Sequence, residues 1–591
     1  MAFQVTGDRQ TEEAVLGALA LDEAQRLLER FTALVRKSGS RDERTAAKYI
    51  AGRLRAWGVP HTLHEPELFL SVPKAASLEV RSPAPRSIRA KTPSFSASTG
   101  RKTVRGRVAY VATGYAEDTG TLFDSQVNAG REEIEGKVVL TEGFAMPKKV
   151  ADLTRLGAKA LIFMNPGEAI HEGICTTIWG APDLDSAGRQ PTLPVVAINR
   201  PDGLALRAQV DAGPVEVAIK TKLDEGWMPC PVLVAEIPGT DDPERFVLVH
   251  GHIDSWHQGI GDNATGDATL LELARVFWQH RQQLKRTVRI AWWPGHSTGR
   301  YAGSTWYADM FAEDLDERCV AQVNIDSPGC RWATEYTGPL CKAAIRDAVG
   351  QDAAGERPHQ AGDYSFNNIG ITSFYMLLST MPEALRKEKG YYAVGGCGAN
   401  IQWHTEDDTM ELVDRKILMK DLRVYVASLL RVLNAPVHPF DFRLLADEFG
   451  RTLDAYQQQA GAAFDLGPAG RALEGLKGDL DAFYRQAEEL QHRPVGDPDA
   501  LRACAVIRTL ARVLVPLNFT RDGRFRHDPA VPIPPLPDLA PAAVLARHPA
   551  GSHEARVIHT SLVRGLNRVV AGLRQAGAVV EGPARGRTPS R

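Results

Sequence analysis

The sequence predicts an α/β protein: a mainly parallel sheet covered by helices on both faces, preceded by a β-rich insertion and followed by a helical region. Three observations carry this. From Phe246 to about Val437, apolar runs of strand length alternate with helical periodicities, the pattern of parallel strands joined by crossover helices. From about residue 96 the chain changes to short β-rich runs, GRVAYV, GKVVL, KALIFM and LPVVAI, with Gly and Pro between them. After Pro436 apolar residues recur at helical spacing, as in Leu473, Leu476, Leu480 and Phe483, and again in Val506, Leu510, Val513 and Leu514. A proline-rich loop, PAVPIPPLPDLAP, interrupts that series. The expected segments are therefore 1–95 and 231–440 for the two parts of the sheet domain, 96–230 for the insertion and 441–591 for the helical domain.

The first segment reads as helical. Ser40-Arg-Asp-Glu43 has capping-box spacing, and Ile50, Leu54 and Trp57 line one face of a helix that Gly58 ends. These helices are expected to form an outer layer of the sheet domain.

Composition narrows the class. At 591 residues, 43% hydrophobic and 24% charged, the chain can bury several cores, and a net charge of −2 offers no electrostatic case for nucleic acid or a membrane surface. The seven cysteines include no CxxC pair, which favours reduced thiols over a disulfide framework. No apolar segment reaches spanning length, and MAFQVTGDRQTEEA has no signal-peptide core. A cytoplasmic protein is expected, in which the Asn518-Phe-Thr sequon has no use.

The chemistry gathers in His250 to Arg275, HGHIDSWHQGIGDNATGDATLLELAR. Phe246 to Val249 makes a buried strand, so His252 emerges where the chain leaves the sheet, the edge at which open α/β sheets build their sites. Leu270, Leu271, Leu273, Ala274 and Phe277 recur at helical spacing, which leaves the glycine-rich stretch between strand and helix as a loop with room for a metal. An imidazole binds a divalent ion through one nitrogen, while a carboxylate two residues on, Asp254, fixes the tautomer or ligates separately. Asp262, ten residues after His252, is placed to bridge two metals. The plain alternative is that Asp262-Asn263 is a turn before a helix and His252 ends a strand.

Together these residues are more specific. His-Ile-Asp-Ser-Trp followed by Gly-Asp-Asn-Ala-Thr-Gly resembles the core signature of the co-catalytic zinc aminopeptidases, most nearly the glutamate carboxypeptidase and transferrin receptor branch. Asp326, closing VAQVNID, and His404, opening HTEDDT, fit the same template. The resemblance implies a three-layer, mainly parallel sheet of zinc-exopeptidase type. It also implies a protease-associated domain for the insertion and a dimerisation domain for the helical region. On that template Asp262 bridges two zinc ions, His252 and Asp326 hold one, His404 holds the other, and Asp254 supports His252. A cis peptide bond between Asp262 and Asn263 belongs to it too. Gly362 to Phe366, followed by IGITSFYML, resembles the substrate-side loop and late strand, which implies Asp363 and Tyr364 at the pocket, against the plain reading of Asp363 as a turn residue. Of the tryptophans near these ligands, Trp256, Trp292, Trp293 and Trp306 read as core, and Trp403, beside His404, as the one that touches substrate.

One departure matters. Members that hydrolyse peptides carry a Glu-Glu pair after the next strand, the first as general base and the second as the remaining ligand. Here VRIAWW is followed by PGHSTGRYAGSTWY, and no Asp or Glu occurs between Glu272 and Asp309. A register on Gly299 puts His296 at the base position and Ser297 at the ligand position; one on Gly303-Ser304 puts Ser297 and Thr298 there. With a carboxylate gone, two ions would face two carboxylates, which weakens the second site unless a neutral ligand fills the gap. His296 is the strong candidate on that loop, as base or as ligand, against packing beside Trp293 or capping a turn.

The expected function is a metal-dependent hydrolase of peptide-like amide bonds, an aminopeptidase or carboxypeptidase with an altered base. Its cofactor would be zinc, as one or two divalent ions, and its substrate a small peptide-like or acyl-amino-acid molecule. A homodimer is expected from the helical domain. The alternatives are a different metal enzyme on the same scaffold and a non-catalytic, receptor-like protein. Against the latter, a site without metal has little reason to bury two Asp and two His together.

Overall fold

The computed structural model describes residues 8–123, 127–336, 344, 346, 347, 357, 362, 364–373 and 378–582. In chain order the strands are β1 His61–His64, β2 Glu67–Ser82, β3 Arg86–Ile88, β4 Val104–Tyr110, β5 Val138–Glu142, β6 Ala160–Met164, β7 Val195–Ile198, β8 Glu216–Pro229, β9 Val232–Ile237, β10 Asp242–His252, β11 Arg286–Trp293, β12 Cys319–Asn324, β13 Glu335–Tyr336, β14 Thr372–Ser373 and β15 Ser379–Thr380.

The main sheet has the order β1-β9-β11-β10-β12-β14. β10 runs parallel to both β11 and β12, and β12 parallel to β14, while β9 and β1 close one edge antiparallel. Strands covered on both faces read as unbroken apolar runs, and here the alternation decides which layer each side chain joins. Val247 and Val249 point into the core shared with the helices Asp22–Phe31, Arg41–Trp57, Thr265–Gln279 and Arg415–Asn434. Phe246 and Leu248 point the other way, against Tyr307, Ala308, Leu315 and Phe366. That is the three-layer architecture. The register sets His252 beside Trp293 and His250 beside Asn324, so β10, β11 and β12 all release their chains at one edge.

The helix Arg41–Trp57 is capped as its sequence suggests, with one difference. Ser40 Oγ accepts from Glu43 N at 3.1 Å, but the Glu43 carboxylate reaches back to Gly39 N, at 2.8 Å, and not to Ser40. Ile50 and Leu54 are fully buried, Trp57 is half-buried, and Gly58 ends the helix at φ 78°.

A second sheet has the order β3-β2-β8-β4-β5-β6-β7. The four runs singled out in the sequence form β4 to β7, parallel to one another. The sheet begins earlier in the chain than residue 96, because β2 pairs with the returning strand β8 from Glu67 opposite Pro229 to Ser82 opposite Glu216. The chain thus leaves the main sheet after β1 and returns at β9.

Beyond residue 440 the helices Phe442–Ala460, Gly467–Leu490, Pro498–Phe519 and His553–Glu581 continue the main core, with Leu473, Leu476, Leu480, Leu510 and Leu514 buried in it. Arg512 ties this region to the sheet by donating to the carbonyls of Leu315, Asp316, Cys319 and Gly370. The six described cysteines are buried and free, and no described helix is long and apolar enough to cross a membrane.

Candidate active site

His252 is the last residue of β10, and the chain then loops through Asp254 and Gly259 into the turn Ile260–Ala264. The Asp262-Asn263 peptide bond in that turn is cis. Asn263 clips the turn to the exit of β12: its amide donates to Ile325 O at 2.9 Å and its carbonyl accepts from Ser327 N at 3.0 Å. Asp408 holds it from the opposite side, one oxygen accepting Gly261 N at 2.6 Å and the other Asp262 N at 3.0 Å. So clamped, the Asp262 carboxylate puts Oδ1 2.9 Å from His252 Nε2 and Oδ2 3.2 Å from His404 Nε2.

Both imidazoles are aimed by carbonyls. His252 Nδ1 lies 3.0 Å from Asp254 O, and His404 Nδ1 lies 3.2 Å from Glu172 O. A carbonyl only accepts, so each Nδ1 carries a hydrogen, and each Nε2 is left facing Asp262. Asp326, two residues past β12, sends Oδ2 to within 3.8 Å of His252 Nε2 while Ser327 donates to Oδ1.

The loop after β11 brings His296 onto this group. The Asp254 carboxylate accepts from His296 N at 3.1 Å, Ser297 N at 3.0 Å and the Ser38 hydroxyl at 2.9 Å, so it positions the loop more than the His252 ring. The loop closes tightly: Gly303 N donates to Pro294 O at 3.1 Å, and a Cβ on Gly303 would stand 2.3 Å from that oxygen. Arg300 and Tyr301 take left-handed backbone at φ 48° and 69°, a conformation that costs roughly 1–2 kcal/mol per residue. Stacking offsets this, with Trp179 lying 4.3 Å from Tyr301 and Tyr301 meeting His296 edge-on. The result is that His252, His296 and Asp326 each offer a ligand atom within 4.8 Å of the other two. Ser297 and Thr298 are buried, and the Thr298 hydroxyl has no hydrogen-bond partner.

Charge is dense here. Burial pulls the His252 pKa down, but its bonds to Asp254 and Asp262 and the charge of Asp326 outweigh it and hold the value well above the ordinary one. Asp262, despite burial, sits well below the carboxylate range because His252 and His404 both face it. Burial and the neighbouring Asp262 push Asp326 up to about 6. His296 is driven well below its ordinary value by burial and by the charge of His252. A dry cluster of imidazole nitrogens and carboxylate oxygens is the donor set a zinc-like divalent ion satisfies, so the residues fit the metal that the sequence implies.

Several residues that build the site escape sequence reasoning. Arg36 is fully buried, and its guanidinium donates to the carbonyls of Ile253, Gln258 and Gly259, gripping the loop between His252 and Asp262. Nothing around Arg36 in the sequence marks it. Glu172 comes from the loop after β6; its carboxylate pairs with His257 at 3.1 Å and Lys91 at 3.3 Å, and Lys91 also pairs with Glu406 at 2.9 Å. Asp408 was open to discovery, since it lies within HTEDDT itself.

Of the expected substrate residues, Asp363 lies outside the described residues. Tyr364 is buried in an aromatic cluster with Trp179 and Tyr301. Trp403 is only 8% exposed and stacks face to face on His404, ring centroids 3.7 Å apart. Trp256 is buried edge-on to His404, Trp292 and Trp293 are core, and Trp306 is half-buried beside His64.

A mainly parallel sheet that delivers two histidines and two aspartates to one strand edge is a fold of zinc-exopeptidase type. Residues 233–427 match the family model described as Peptidase family M28. The chain is 25% identical to Probable glutamate carboxypeptidase VP8 of Zea mays over 531 residues, 77% of this chain and 72% of that protein. It is 36% identical to Aminopeptidase NAALADL1 of Mus musculus over 98 residues, 15% of this chain and 12% of that one. Among solved structures, the fold is similar to the aminopeptidase from Aneurinibacillus sp. strain AM-1, with TM-score 0.52 and 19% identity over 71% of this chain and 96% of that chain. It is also similar to the Peptidase M28 precursor from Shewanella amazonensis SB2B, with TM-score 0.54 and 15% identity over 71% and 95%.

Proposed function

We propose that the protein is a metal-dependent hydrolase of peptide-like amide bonds whose ion is held by His252, Asp262, Asp326 and, in place of a carboxylate, His296. The observation that carries this is the convergence of ligand atoms from His252, His296 and Asp326 within 4.8 Å. A divalent ion bound there, zinc by its donor set, supplies Lewis acidity toward an amide carbonyl and lowers the pKa of water. The chain's own residues supply the rest. His296 is neutral under the burial and charge described above, so it offers a lone pair without adding positive charge. Asp254 fixes the loop that presents it, and Asp408 fixes the backbone of Asp262. His404 stands on the far side of Asp262, where a second ion would have fewer ligands.

The substrate in this reading is a small peptide or acyl-amino acid, bound beside His296, whose loop the buried cluster of Trp179, Tyr301 and Tyr364 supports. The second-sheet segment acts as a protease-associated insertion, a role supported by Glu172 and Trp179 reaching the site's rim. A homodimer through the helical region is supported by the exposed Leu444, Leu501, Val557 and Val563, and a cytoplasmic location by the cysteine pattern. The test is a panel of peptides and acyl-amino acids assayed before and after chelation and metal return, with metal content measured alongside. Turnover that follows metal content supports the reading. Metal-independent turnover, or none with metal bound, sinks it.

A further inference from the structure

A cavity of about 210 Å³ is walled by residues that include Thr113, Tyr115, Phe144, Met146, Lys149 and Tyr392. None of the metal-centre residues lines it. Two hydrogen-bond donors on its wall are unused. Lys149 is 2% exposed, and its Nζ donates to Thr113 Oγ1 at 3.0 Å and to Glu142 O at 2.9 Å. An ammonium has three N–H groups, so one remains. The Tyr115 hydroxyl is buried with no hydrogen-bond partner. The carboxylate nearby, Glu142, is already engaged by Thr113 N at 2.9 Å and by the Tyr110 hydroxyl. Arginines add positive charge: Arg200 lies 5.4 Å over the Tyr115 ring and Arg207 lies 4.1 Å over Tyr110. Gly143, at φ 93°, keeps the space beside the buried ammonium free of its own side chain, since a Cβ there would stand 3.3 Å from Nζ. The remaining wall combines the apolar Leu122, Phe144 and Met146 with Thr121 and the solvent-exposed Glu117.

We infer that this cavity binds a small organic carboxylate. Its oxygens accept the third Lys149 N–H and the Tyr115 O–H, and its apolar body packs on Phe144, Met146 and Leu122. Burial lowers the Lys149 pKa to about 8, which still leaves the amine mostly charged at neutral pH. Buried donors without acceptors are costly, and a charge-assisted bond from an ammonium is among the stronger that a ligand can make. A hydrogen-bond chain runs from the cavity wall to the residue before His404: the Tyr392 hydroxyl meets His171 Nε2 at 2.8 Å, and His171 Nδ1 meets Trp403 O at 2.6 Å. Amide hydrolysis releases a carboxylic acid, so the ligand class includes acyl products, although binding here does not rest on the catalytic reading.

Calorimetric titration of benzoate and hexanoate into the full chain tests this, with benzyl alcohol and hexanol as uncharged controls. Saturable binding of at least one carboxylate is expected, weaker by about tenfold or more in both Lys149→Met and Tyr115→Phe, and unchanged in His252→Ala. Three results overturn the inference: no saturable binding of either acid at millimolar concentration, equal binding of the alcohols, or affinity that both cavity variants leave intact. Loss of binding in His252→Ala also overturns it, by placing the acid at the metal centre instead.

Discussion

His296 lies face to face on His252, their ring centroids 3.9 Å apart and their planes inclined by 11°. Two imidazolium rings would repel in that arrangement, so at most one is an imidazolium, and burial with the charge of His252 makes His296 the neutral one. A neutral ring pressed against His252 and within reach of Asp326 is placed to serve as a ligand.

His296→Ala is therefore expected to weaken metal binding by more than about tenfold and to lower turnover with it. His296→Glu is expected to return the metal, because a carboxylate oxygen replaces the nitrogen. Elemental analysis beside turnover decides. Full metal with lost turnover in the alanine variant would make His296 a base and not a ligand.

Asp408→Asn removes one of the two oxygens that accept Gly261 N and Asp262 N. An amide nitrogen cannot accept, so one buried N–H is left unpaired, at about 1–3 kcal/mol. The expected outcome is a lower melting temperature together with weaker metal retention, as Asp262 loses its fixed backbone. A variant with unchanged melting and full metal would show that the turn holds itself.

Asp421 lies outside the centre, on the helix Arg415–Asn434, where its Oδ2 accepts from Gly329 N and from the Ser379 hydroxyl, each at 2.8 Å. Burial raises its pKa from 3.8 to about 7, against the pull of those bonds and of Lys420. A raised carboxyl pKa means the folded state holds a proton that the unfolded chain releases. Its stabilisation is complete below pH 3.8 and is lost as pH climbs through about 7, amounting to at most about 4 kcal/mol. Asp421→Asn, uncharged throughout, should flatten the dependence of melting temperature on pH across that window. Parallel curves for the two proteins would refute this.

The exposed apolar side chains of the helical region predict self-association. Leu444 is 48% exposed, Leu501 36%, Val557 52% and Val563 40%. Light scattering at micromolar concentration is expected to give twice the chain mass, and Val557→Lys to lower it. A wild-type mass of one chain would remove the homodimer from the proposal.

The sequence made some of this legible and hid the rest for identifiable reasons. His252, Asp254 and Asp262 are close in sequence at the end of a strongly apolar strand, so period and motif point to them together. Asp326 closes a recognisable apolar run, and His404 opens HTEDDT. His296 was readable by the chemistry of its loop, the sole ionisable imidazole in a stretch free of acids. Arg36 and Glu172 were not, because each acts on a backbone carbonyl or as one, across more than two hundred residues, and no local pattern encodes that. The start of the second sheet was obscured by β2 itself: Pro73 and Lys74 interrupt its alternation, and the register with β8 shifts there between Pro73 and Ala75.

The carbonyl that fixes the His404 ring belongs to Glu172, on the second-sheet side of the molecule, and the pairs around it are partly open to solvent. His404 is therefore correctly oriented only while that side is docked. Raising the salt concentration screens Lys91 from Glu406 and should let the seam breathe without melting either sheet. The rate at which a chelator strips an ion from the His404 side of Asp262 would then be a clock for that breathing, and that position a built-in reporter on how the two halves meet.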